Sequence, residues 1–184
     1  MSFPMIMEYK GEYYMFPEVS ESGRIDIYHM GNSPWEWSLY HSFNMEEKIV
    51  DIAYQINGEK IILIAGIENE NNPLLVKRQL ICLENLDCRE KISCCITYTD
   101  KEYSLKERNG GSIYGKYRVV QESTASDYGM YVRLNEILEL DAENICEREF
   151  KIRSVNNISV NLNKFLYRKI GIHTYGKSEG DFEV

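Results

Sequence analysis

Asp51-Ile52-Ala53-Tyr54-Gln55-Ile56-Asn57-Gly58-Glu59-Lys60-Ile61-Ile62-Leu63-Ile64 is two β-prone runs joined by Asn-Gly. Asn-Gly between hydrophobic runs is a strong hairpin signal, because both central residues of the tight turn must take positive φ. The pattern recurs on either side. Met5-Ile6-Met7-Glu8-Tyr9 and Glu12-Tyr13-Tyr14-Met15-Phe16 flank Lys10-Gly11, and Gly111-Ser112-Ile113-Tyr114 and Tyr117-Arg118-Val119-Val120 flank Gly115-Lys116. A hairpin returning at about 50 residues predicts propeller blades, each a four-stranded sheet.

The rest of the chain supplies the outer strands. In the first unit a polar loop over 18–23 precedes a third strand over 24–29. A turn at Gly31-Asn32-Ser33-Pro34 then leads into Trp35-Glu36-Trp37-Ser38-Leu39-Tyr40. The second unit takes its outer strands from 74–83 and 92–99, and the third from 130–137 and 150–153. Residues 156–184 hold part of a fourth unit. The expected fold is therefore all-β, about three and a half propeller blades in a single domain over 1–184 that is incomplete at both ends. Two alternatives stand beside it: a helix over 133–147, where Leu134, Ile137, Leu138 and Ile145 are roughly spaced for one, and a β-sandwich of the same strands. An open array leaves bare strand edges, so a homo-oligomer or a larger parent chain is expected to cover them.

Composition narrows the function classes. The chain has 184 residues, with 21 basic residues against 29 acidic ones for a net charge of −8. A field of that sign repels phosphate backbones, so nucleic acid is not an expected partner. Its longest apolar runs are strand-sized, so no membrane span is expected. Its first residues, MSFPMIMEYKGEYY, carry no basic n-region or small-residue cleavage site, and a cytoplasmic location is expected. Cys82, Cys88, Cys94, Cys95 and Cys146 contain no CxxC spacing and read as small, buried, reduced thiols; neither a metal site nor a cofactor is expected. His29 and His41 read as solvent-face strand residues.

Three stretches together carry a family resemblance. The first runs from Phe3-Pro4 through Phe16-Pro17-Glu18, with Pro34-Trp35-Glu36-Trp37 downstream. The second spans 108–137 and contains Gln121-Glu122-Ser123, Asp127-Tyr128-Gly129 and Asn135-Glu136-Ile137. The third is Gly171-Ile172-His173-Thr174-Tyr175. In this order they resemble the domain found in front of plant glucosamine inositolphosphorylceramide transferases and in some bacterial proteins. The resemblance covers most of the chain apart from about residues 66–103. It implies a five-bladed propeller similar to family 43 glycoside hydrolases, invertases and levansucrases. It also implies that transferase chemistry belongs to a separate domain. Two departures bear on activity. Phe3-Pro4 stands where such hydrolases often show Asp-Pro, the chain starting at what would be the second blade. The final blade also stops early, after Asp181-Phe182-Glu183-Val184.

On that fold, the innermost strand of each blade lines the axis and its start faces the pocket. Asp51 opens one such strand, and Glu18 and Glu122 end the second strands of the first and third units. Glycoside hydrolysis uses paired carboxylates of this kind, one as acid and one as base or nucleophile. The same three residues also read as strand-start and loop acids. Arg108 reads either as a surface cation or as an axial arginine able to bind sugar hydroxyls or pair with Asp51. His173, Gln121 and Tyr128 complete the candidate sugar-binding set. Trp35, Trp37, Tyr13 and Tyr14 fit packing between blades better than sugar stacking. The expected function is glycan binding or scaffolding, with a glycoside hydrolase or glycosyl-transferring enzyme as the alternative.

Overall fold

The computed structural model describes residues 2–128 and 131–150, with two short further segments, Gly176–Lys177 and Phe182–Glu183. Three four-stranded antiparallel sheets follow one another along the chain. The first contains β1 (Ser2–Tyr9), β2 (Glu12–Glu18), β3 (Arg24–Met30) and β4 (Trp37–Asn44). The second contains β5 (Ile49–Asn57), β6 (Lys60–Asn69), β7 (Asn72–Glu84) and β8 (Ser93–Tyr98). The third contains β9 (Arg108–Asn109), β10 (Tyr117–Glu122), β11 (Tyr131–Leu140) and β12 (Ile145–Phe150). Within each sheet the strands keep chain order, and β13 (Gly176–Lys177) pairs with β14 (Phe182–Glu183). Among the described residues the only helical pieces are 3-10 turns at Ser20–Ser22 and Arg89–Lys91.

The hairpin signals find their turns. Gly11, Gly58 and Gly115 have φ of 83°, 64° and 61°. A Cβ at any of the three would meet open space, so the backbone conformation and not crowding requires glycine there.

The second sheet is the centre of the packing. Its strand β6 is apolar without alternation, and Ile61 to Ile67 are all buried. Ile61, Leu63, Ala65 and Ile67 join Met5, Met7, Phe16, Ile25 and Ile27 of the first sheet in one cluster. Ile62 and Ile64 join Leu80 and Ile145, with Ile113 and Leu140 packed alongside. Both faces of β6 are thus covered, which is why its sequence lacks a polar face. Polar contacts tie the sheets at their turns: the Tyr9 hydroxyl donates to Glu59 O at 3.1 Å, and Asn57 Nδ2 donates to Leu140 O at 3.3 Å.

Four details depart from the sequence reading. The short first strand of the third sheet is Arg108–Asn109, not the run Gly111-Ser112-Ile113-Tyr114. Asn109 Nδ2 donates to the carbonyls of Asp51 and Ile64, at 2.5 and 2.8 Å, and draws this pair against the second sheet. Tyr114 keeps only a single bridge to Tyr117. In the first sheet β4 begins at Trp37, because Gly31 N–H to Glu36 O and Glu36 N–H to Ser33 O close a turn that holds Pro34 and Trp35. Residues 133–140 form a strand and not a helix. Leu134 and Ile137 sit three apart on opposite faces of β11, both buried, and a bulge follows between Ile137 and Glu139, so the spacing only mimics a helical one. The last strand of the third sheet, β12, begins at Ile145, earlier than the expected 150–153 strand, of which residues 151–153 lie outside the described residues.

The cysteines and His29 also differ from expectation. All five cysteines are free, but only Cys82 is buried; Cys95 and Cys146 are exposed. His29 lies against the rings of Tyr14 and Tyr40 and bonds Glu12 Oε2 at 3.0 Å. Trp35 is 89% exposed and packs between no sheets.

Candidate functional site

Strand β5 carries the unusual backbone. Val50 pairs with Gly66 and Ala53 with Ile64, so Asp51 and Ile52 together oppose Ala65 in a β-bulge. Asp51 takes φ of 51° there, a left-handed conformation that costs a non-glycine residue about 1 kcal/mol. Gly66 permits the bulge: a Cβ on it would come within 3.1 Å of Val50 Cγ2.

The bulge turns the Asp51 carboxylate inward, where it is 3% exposed. Arg108 Nη1 donates to its Oδ2 at 2.5 Å, and Asp51 N–H donates to Glu18 Oε2 at 3.0 Å. Arg108 Nη2 donates to Pro73 O and to Glu68 Oε2, the latter at 3.4 Å. The guanidinium lies 5.0 Å from the centre of the Tyr128 ring, which is itself 44% exposed. Gln121 is the ladder partner of Arg108 and is buried.

These contacts set the protonation states. Burial pushes the Asp51 carboxyl up to about 6; Arg108 opposes the rise, and Glu18 adds to it. For Arg108 burial pulls the other way, yet the charge of Asp51 outweighs it and the guanidinium is held above its usual value. Desolvation lifts the Tyr128 hydroxyl to about 12, helped by the charge of Asp51.

The structure therefore gathers Asp51, Glu18, Arg108 and Tyr128, with Gln121 beside Arg108. It sends Glu122 elsewhere: its Oε1 pairs with Arg133 Nη1 at 2.9 Å. Arg133 also pairs with Glu107, beside the buried cluster in which Arg118 binds Glu147 and Asn135 donates to Glu147. His173 lies outside the described residues. Sequence reading missed Glu68 and Asn109. Glu68 is one of 29 acids and has no distinguishing neighbour; Asn109 had a signal in its adjacency to Arg108. Glu68 also lines an acidic groove of about 470 Å³ between the first and second sheets, with Glu21, Glu46, Glu47 and Glu70. Among the described residues no group of three His, Cys, Asp or Glu is placed to hold a metal ion.

Comparison with known proteins addresses the family. Residues 1–165 match the family described as glucosamine inositolphosphorylceramide transferase 1, N-terminal. The chain belongs to this family. It is also 28% identical over 159 residues to glucosamine inositolphosphorylceramide transferase 1 of Arabidopsis thaliana, an alignment covering 81% of the chain and 20% of that protein. The chain thus corresponds to about a fifth of the plant protein's length. No solved structure matches it. Membership links the chain to the N-terminal region of a glucosamine inositolphosphorylceramide transferase. No helix among the described residues is long and apolar enough to cross a membrane.

Proposed function

We propose that the chain is a glycan-binding module built of propeller blades of the five-bladed, glycosidase-like type, with its sugar site around Tyr128 and Arg108. The observation that carries this reading is the half-exposed Tyr128 ring, fixed over a buried arginine whose charge Asp51 balances. An aromatic face held by a cation–π contact offers a preset surface for the C–H face of a sugar. Burial of Asp51 against Arg108, and the pairing of Glu122 with Arg133, support binding over hydrolysis. A catalytic carboxylate has to reach the glycosidic oxygen or the anomeric carbon, and here Asp51 is buried against Arg108 and Glu122 is held in an ion pair by Arg133.

Hydrolysis is the second reading, favoured by one observation: Asp51 is lifted to about 6, the direction a general acid needs. The two readings separate in one experiment. Glycan-array binding that persists in Asp51→Asn and Glu122→Gln, with no release from aryl glycosides by the wild type, supports the module. Turnover by the wild type that either substitution abolishes supports the hydrolase.

A further inference from the structure

We propose that Cys82 and Cys95 are a redox pair that forms a reversible disulfide tying β8 to β7. The two residues are direct ladder partners in this antiparallel pair. Their side chains therefore leave the same face of the second sheet. Opposed antiparallel residues have Cα atoms about 4.5–5.5 Å apart, within the roughly 4.4–6.8 Å that a disulfide spans. Both thiols are free, Cys82 being 2% exposed and Cys95 open to solvent. Strand β8 is the edge of its sheet among the described residues, so it is paired on one side only and is the strand freer to adjust on closure. The neighbouring Cys94 does not compete. It leaves the opposite face and packs onto the core shared with the first sheet.

Exposure sets the order of events. With a small disulfide such as oxidised glutathione as oxidant, the Cys95 thiolate attacks one glutathione sulfur. A mixed disulfide forms and one glutathione thiolate leaves. The Cys82 thiolate then attacks the Cys95 sulfur, closes the Cys82–Cys95 bond and expels the second glutathione. Two protein thiols are oxidised and one glutathione disulfide is reduced to two glutathione thiols, which take up the two protons the protein thiols gave up. Burial holds the Cys82 thiol above its usual value, while the nearby Lys60 charge pulls it down.

The test is to incubate the folded protein with oxidised glutathione, count the remaining thiols, alkylate and digest with trypsin. The proposal predicts that free thiols fall from five to three and that peptide 79–89 becomes joined to peptide 92–101. The link should persist in Cys94→Ser and Cys88→Ser and vanish in Cys95→Ser, whose exposed position keeps the fold out of question. Dithiothreitol should restore five thiols. A product that stops at a glutathione adduct on Cys95, or a link that survives Cys95→Ser, overturns it.

Discussion

Asp51 combines a left-handed backbone, near-complete burial and a carboxyl raised to about 6. The folded protein therefore binds this proton more tightly than the unfolded chain does. The stability associated with it is complete below the ordinary carboxylate value and is lost as pH rises through 6. The interval from 3.8 to about 6 corresponds to at most roughly 3 kcal/mol. Asp51→Asn should accordingly gain stability relative to wild type between pH 4 and pH 7, by up to about 3 kcal/mol in chemical denaturation. A gap that stays constant across that range contradicts the assignment. Asp51→Ala should lie about 1 kcal/mol below Asp51→Asn at every pH, because alanine tolerates positive φ less well than asparagine. The sequence marks Asp51 only as a strand-start acid. Its bulge was not legible, because the extra residue is defined by pairing with Gly66 and Ile64 across the sheet and not by its own neighbours.

The hairpins were legible because their determinants are local. Turn glycines and apolar runs sit within a few residues of each other, and the φ values at Gly11, Gly58 and Gly115 follow. Gly58→Ala should cost about 1 kcal/mol in thermal or urea unfolding through φ alone. Gly66→Val should cost more, since its side chain must displace Val50 at the bulge. The first strand of the third sheet was not legible, because Arg108-Asn109 has no apolar periodicity. It is placed by the side-chain bonds of Asn109 to another sheet. The same sheet depends on a buried cation. Arg118 is 0% exposed and binds Glu147, Glu107 and Asn109. Arg118→Met leaves the Glu147 carboxylate with weaker compensation and should destabilise by about 3–5 kcal/mol, with partial recovery in Arg118→Met/Glu147→Leu. An unchanged midpoint for the single variant contradicts that role.

At the scale of the molecule, three sheets in sequence order share cores across the central one, an arrangement that accords with successive propeller blades. The outer face of the first sheet carries the ladder row Ile6, Met15, Tyr28 and Leu39, in which Ile6 and Leu39 are about half exposed. If strand edges and this face are covered between chains, light scattering on the isolated 184-residue protein should return more than one protomer; a monomer at every concentration contradicts this. The family relation was legible in motifs near Pro34-Trp35, Gln121-Glu122 and Asp127-Tyr128, whereas the proposed carbohydrate site depends on contacts among distant residues. It is tested most directly by measuring glycan binding of wild type and Tyr128→Ala on the same array. The binding account predicts that wild type retains specific glycans and that Tyr128→Ala, folded to the same thermal midpoint, loses them by about tenfold or more, the scale of a lost aromatic contact. Equal binding by the two proteins would contradict it.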